Sequence, residues 1–457
     1  MRILFTLFIC LPLMALAQTN QDSVKIKTLV DEIMTNGKAY DLLRELTKKI
    51  GGRLAGSPQQ QNAAVWGKRN LEAFHPDKVF LQACKTPSWQ RGGKDFASIV
   101  SVNGKPQNEP LAALALGNSL SSNGLVEAEL LAVANFDELE KRKDEVKGKI
   151  VYYHSVFNPT RIQTFVAYGE SGIYRGSGAS RAAKYGAVGV MIHSLSTAPD
   201  NEPHTGGMRY DENLPKIPAV ALGPNDAKAL WEAAKTSTIR VQMQTYGFFL
   251  PDADENNVVA EIKGTQFPDE IITIGGHLDS WDVNEGAHDD GAGIVQTMEV
   301  LRAMKASNYV PKRTIRFVLF ANEENGGKGG AKYAELAKLN NEKHIFALES
   351  DEGGFTPRSI GITSSAEQFK KFQTWSSLLK PYGTEITTGG GGADIGPLKS
   401  AMKEVVLSSL IPDSQRYFDL HHAKTDVFEN VNKRELLLGA ANIAAIIYLV
   451  DQYGVNP

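Results

Sequence analysis

The chain has 457 residues, 42% hydrophobic and 22% charged, with a formal net charge of -3. That length exceeds what one small core organises, so two domains, or one domain carrying a large insertion, are expected. Near-neutral charge, with no basic run and no aromatic-interleaved patch, gives no support to nucleic acid as a partner.

The first residues read as a secretory signal. Arg2 is followed by an apolar run from Ile3 to Leu16, and Ala15-Leu16-Ala17 supplies small residues for cleavage after Ala17. A lipoprotein signal at Cys10 is disfavoured by bulky Ile9, and an uncleaved anchor by the shortness of the run. The mature protein is therefore expected in the periplasm or the medium, without stable membrane insertion. Cleavage leaves Cys84 alone, so no intrachain disulfide and no Cys-based metal site are available. Any transition-metal site must use His, Asp and Glu, a set that suits zinc.

Residues 22 to 50 carry Leu29, Ile33, Leu42, Leu43 and Leu46 at helical spacing. Ser57 and Pro58 then read as the cap and first position of a second helix, to about Phe74. Arg53, between the two, reads as a solvated loop residue rather than one that binds a substrate carboxylate. From 110 to 250 the texture changes to short strand candidates at 125–131, 149–153, 189–192 and 218–221, with a helix-like stretch at 180–185. This reads as an inserted β-rich domain that splits the main one into 18–109 and 251–457. Its His154, His193 and His204 read as packing or surface residues rather than ligands. The fold class is α/β, with a mixed, mostly parallel sheet flanked by helices.

The second half alternates strands with helices, and three strands finish in metal-type residues. Ile271 to Ile274 runs into a Gly-rich stretch holding His277, Asp279, Asp289 and Asp290 before a helix at about 294–305. Thr314 to Phe320 ends at Asn322-Glu323-Glu324, and His344 to Leu348 at Glu349-Ser350-Asp351-Glu352. Acids at the carboxyl ends of successive strands are the pattern of a site built along one sheet edge. A helix at 365–380 and the Gly389 to Gly392 run follow; that run lacks the Lys-Ser/Thr of a phosphate loop. Then come His421 and His422, and a terminal helix at 434–453 whose charged residues favour burial over a membrane span.

Taken together, His277, Asp289, Glu323, Glu324, Asp351 and one of His421 or His422 suit a pair of ions about 3.5 to 4 Å apart, with Asp289 between them. In the Glu323-Glu324 pair, one carboxylate can ligate while its neighbour takes a proton from the attacking water.

These motifs, in order, resemble the co-catalytic zinc aminopeptidases and carboxypeptidases of clan MH, family M28. His277-Leu278-Asp279-Ser280, Asp289-Asp290-Gly291-Ala292-Gly293, Asn322-Glu323-Glu324, Glu349-Ser350-Asp351 and His422 with Thr425-Asp426 carry the resemblance, over about residues 22–105 and 255–455. Val146 to Val151, Ala183 to Val190 and Ile217 to Val220 are similar to a protease-associated domain. The resemblance implies a secreted exopeptidase with two Zn2+ ions, acting on dipeptides or short peptides with a free N-terminus. It implies His277 and Asp351 on one ion, Glu324 and His422 on the other, and Asp289 between them. Glu323 would be the general base and Asp279 would hold the His277 imidazole. It further suggests a homodimer. His288, where relatives carry an uncharged residue, could offer a third imidazole. The competing functions are a single-zinc glutaminyl cyclase and a non-catalytic binding protein on the same fold.

Overall fold

The structure, a computed structural model, describes residues 10–457, with side-chain burial described from Asn20 onward. The signal expected over residues 1–17 lies outside that range of described side chains.

One eight-stranded sheet organises the two ends of the chain. Its order is Lys78–Gln90, Phe248–Ile262, Arg313–Phe320, Phe267–His277, Lys343–Glu349, Val406–Pro412, Pro357–Thr363 and Glu385–Thr388. The four strands from Arg313–Phe320 to Val406–Pro412 are mutually parallel, while antiparallel pairings flank them on both sides. The sheet is thus mixed, and its parallel part is the centre. There each strand is covered on both faces: Ile315, Phe317 and Leu319 join the core under Ala292–Ala306 and Lys433–Tyr453, and Val318 and Phe320 the core under Lys328–Leu339. Burial on alternate faces explains why Thr314 to Phe320 is apolar almost without interruption.

The terminal helix Lys433–Tyr453 is long and apolar enough to cross a membrane by composition, but 83% of its apolar window is buried in this core. The helix expected over 22–50 is broken. Cys10–Asn36 stops at Gly37, and Ala39–Glu45 restarts with the buried Glu299 carboxylate accepting from the Lys38 and Ala39 N–H groups at 2.8 and 3.2 Å. A carboxylate 260 residues away acts as the cap, which local periodicity does not reveal. Ser57 caps Pro58–Ala73 as expected, through the Gln60 N–H. Over 365–380, Ala366–Gln373 carries a Ser365–Gln368 capping box, and a separate short turn Ser376–Leu379 follows.

A second eight-stranded sheet is built from residues 96 to 244, in the order Lys105–Leu111, Phe96–Val102, Ile239–Gln244, Val126–Val133, Ile150–Tyr153, Gly189–His193, Ala219–Leu222 and Ala113–Ala115. Phe96–Val102 precedes the change of texture at 110 and Lys105–Leu111 runs across it, because Phe96–Val102 pairs with Ile239–Gln244 from the far end of the segment. This sheet too is mixed, and it carries two substantial helices, Thr164–Ala183 and Pro224–Ala234. The first is far longer than the 180–185 stretch, since its four glycines hide the helical pattern.

Candidate metal centre

The three acid-tipped strands are neighbours in the sheet and parallel, so their carboxyl ends open onto one edge. His277 closes its strand, Glu323 and Glu324 follow the next, and Asp351 lies two residues beyond the third. Asp289 comes from the irregular turn 287–291 ahead of Ala292–Ala306, and His422 from the loop after Ser414–Asp419.

Asp289 stands between two imidazoles. Its Oδ1 is 3.2 Å from His277 Nε2, and its Oδ2 is 3.2 Å from His422 Nε2. His277 Nε2 is also 3.3 Å from Asp351 Oδ1, and His422 Nε2 is 3.1 Å from Glu324 Oε2. Two donor sets therefore share one carboxylate, one oxygen to each side. His421 stacks on His422 at 3.5 Å and keeps its Nε2 3.6 Å from Asp289, with no approach to Glu324. The geometry brings His422 closer to both acids than His421.

The surrounding groups aim these side chains. His277 Nδ1 faces the Asp279 carbonyl at 3.0 Å, whereas the Asp279 carboxylate is 3.7 Å away. That carboxylate instead accepts from the Glu323 and Glu324 N–H groups at 3.0 and 3.3 Å. One residue thus orients the imidazole through its backbone and the acidic turn through its side chain. Asp290 turns away from Asp289 and accepts from His277 N–H and Gly293 N–H, both at 2.9 Å. Asp426, part of the motif that follows His422, accepts from His288 and Asp289 N–H. Its signal in the sequence is its place in the motif of His422 with Thr425-Asp426.

Two expectations are corrected. Arg53 is not solvated: it is fully buried and donates to the carbonyls of Leu278, Glu285 and Gly286 at 2.5 to 3.0 Å. Its charge sits among Asp279, Asp426, Asp290 and Asp289, so it ties the Gly-rich loop together and offsets its acids. Substituting Arg53 by Met will lower stability by about 3 to 5 kcal/mol, read as a lower urea midpoint. The loss follows from leaving three carbonyls and a knot of acids uncompensated. His288 offers no third imidazole. Its Nδ1 accepts from Gly354 N–H at 3.1 Å, its Nε2 lies 3.2 Å from the Asn430 carbonyl, and its ring stacks on Phe355.

Electrostatics and orphaned atoms favour a cation here. Burial, then the charge of Asp289, pushes Glu324 up to about 7. Burial, then Asp351, does the same to Glu349. Glu323 is raised well above the usual carboxylate range by burial, with Asp351 and Glu324 adding to it against the pull of His277. Asp289 Oδ2, Glu324 Oε1 and Asp351 Oδ1 are buried and accept no hydrogen bond. Buried carboxylate oxygens of this kind are compensated by a metal ion. Three groups place ligand atoms close enough to hold one: His277 with Asp289 and Glu324, His277 with Asp290 and Asp351, and Asp289 with His421 and His422. The residues present fit the group.

A cleft of about 540 Å³ is lined by Asp289, Glu323, Glu324, Asp351 and His422 together with Tyr168, Arg175 and Arg209. The part of the chain that builds the second sheet thus lines the same cleft. It is clamped in place: Thr205 N–H donates to the His422 carbonyl, Thr197 bonds Asp419, and His204 Nδ1 faces the His421 carbonyl at 2.6 Å. Glycine is required at two contacts. A Cβ at Gly117 would fall 1.9 Å from the Trp281 ring, and one at Gly206 would fall 2.6 Å from His422 Nδ1.

A sequence profile of peptidase family M28 matches residues 257–447. The chain is 34% identical to carboxypeptidase Q of Mus musculus over 416 residues, covering 90% of this chain and 85% of that one. It is 35% identical to the Xenopus laevis carboxypeptidase Q, covering 93% and 88%. The crystal structure of a peptidase M28 precursor from Shewanella amazonensis superposes with a TM-score of 0.90 at 30% identity, covering 96% of this chain and 99% of that one.

Proposed function

We propose that this chain, which belongs to peptidase family M28 and is a metallo-exopeptidase, is an exported enzyme that holds two zinc ions and hydrolyses dipeptides or short peptides with a free N-terminus. One observation carries the reading: the two oxygens of Asp289 each face a different imidazole, and each imidazole faces a second carboxylate. His277 and Asp351 would hold one ion, His422 and Glu324 the other, and Asp289 both. A mixed set of imidazole and carboxylate, without thiolate, suits zinc. Zinc bound there supplies Lewis acidity, polarising the scissile carbonyl and lowering the pKa of a water toward about 7.

The remaining work falls to side chains. Glu323 lines the cleft beside both donor sets and is not among the proposed ligands, so its carboxylate takes the proton of the attacking water and passes it to the leaving amine. Its position is set by the Asp279 carboxylate, which holds the Glu323 N–H at 3.0 Å. Because the same residue orients His277, the base and the first ligand are fixed relative to each other. The inserted segment, read as a protease-associated domain, lines the cleft with Tyr168, Arg175 and Arg209. A small cleft favours short peptides over protein chains.

Release of amino acids from a panel of dipeptides, before and after chelation and zinc reconstitution, tests the reading. Turnover abolished by the chelator and restored with two zinc ions per chain is expected. A single zinc with cyclisation of N-terminal Gln would overturn it.

A further inference from the structure

We propose that Arg175, on the inserted segment, receives the substrate's C-terminal carboxylate and selects peptides that end one residue beyond the scissile bond. The inference rests on the zinc-peptidase reading above and adds a residue that reads the far end of the substrate.

Arg175 lies on the helix Thr164–Ala183 and lines the cleft beside Glu324 and Asp351. Its Nη2 donates to the Tyr168 hydroxyl at 2.5 Å, while its Nε is buried with no partner. Its Nη1 lies 3.4 Å from His422 Nδ1, whose other neighbour is the Thr205 carbonyl at 3.3 Å. An imidazole that ligates through Nε2 carries its proton on Nδ1, and the carbonyl is then its acceptor. Nη1 therefore meets a donor on that side and has no acceptor there.

Among the described residues, no carboxylate forms an ion pair with Arg175 or with Arg209, which lines the same cleft. Every other charge at the cleft floor is acidic, so these two guanidinium groups are misplaced for holding metal and well placed for an anion. A half-buried guanidinium without a counter-charge is unfavourable, and the planar group that satisfies it with two oxygens is a carboxylate. The reach agrees. Arg175 touches the ring of a proposed ligand, and one residue spans about 3.8 Å, so the carboxylate in question belongs to the residue just after the cleaved bond. A cleft of about 540 Å³ is of the size that encloses a small ligand.

The test compares kcat/KM of the zinc-loaded enzyme for an unblocked dipeptide, its C-terminal amide and a tripeptide extended at the C-terminus. The wild type is expected to favour the free acid over the amide by at least about 30-fold, the range for losing one partner of a buried charge pair. In R175M the acid-to-amide ratio falls toward one, with the loss mainly in KM; R175K recovers part of it, since an ammonium cannot pair bidentately. R209M shows a smaller drop in the same ratio. A wild-type ratio near one, or an R175M protein that keeps the ratio, overturns the proposal while leaving a peptidase. The wild-type ratio decides even if R175M does not fold. Absence of turnover on all three substrates with two zinc ions bound overturns the peptidase reading itself, and this inference with it.

Discussion

Replacing Glu323 by Gln will lower kcat about 10²- to 10⁴-fold, the usual contribution of a positioned general base, while the zinc content stays at two per chain. The split between chemistry and metal is the informative part. Glu323 lines the cleft, yet the close carboxylate–imidazole approaches are made by Asp289, Asp351 and Glu324. Gln keeps the size and the backbone contact to Asp279 but cannot accept a proton. KM for a dipeptide should change little, because the amide still fills the same volume. Steady-state kinetics with parallel metal analysis checks this. Full activity in the variant would mean that another group moves the proton, and loss of zinc would mean that Glu323 is a ligand.

Asp289→Asn will have the largest effect on metal. The substitution removes the one negative charge shared between the two donor sets and gives each side, at best, a neutral oxygen. Zinc content is expected to fall below two per chain, and kcat/KM by more than about 10³-fold, comparable to removing a transition-state charge stabiliser. The backbone N–H of residue 289 still donates to Asp426, so the turn keeps an anchor and the far-UV circular dichroism should match the wild type. A variant that retains both ions and turns over peptide would show that Asp289 does not join the two halves of the site.

Much of this centre is legible as strings of residues. His277, Asp289, the Glu323-Glu324 pair and Asp351 each sit at a strand end or a strand-to-helix turn. Such positions are recognisable because buried parallel strands announce themselves as apolar runs and their ends as Gly and acid. Short-range order of that kind is a property of consecutive residues. The part of the chain that builds the second sheet is less legible. Its longest helix, Thr164–Ala183, carries glycines that blur the period of 3.6, and its sheet starts at Phe96 because a partner strand lies some 140 residues later.

The sequence by itself determined the residue types: a cysteine-poor chain whose imidazoles and carboxylates recur at strand ends, in an order that leaves little choice of chemistry. Only the tertiary structure decided what each of them touches. It distinguished His422 from His421 by which ring meets Glu324, and it turned Asp290 inward to hold the backbone. It made Asp279 meet His277 through its carbonyl, buried Arg53 beneath the loop, and set Arg175 in the same cleft as the acids. The physical reason is that hydrogen bonds and charge pairs are decided over about 3 Å in space. The groups that decide them here come from strands, turns and a helix separated by tens to hundreds of residues along the chain.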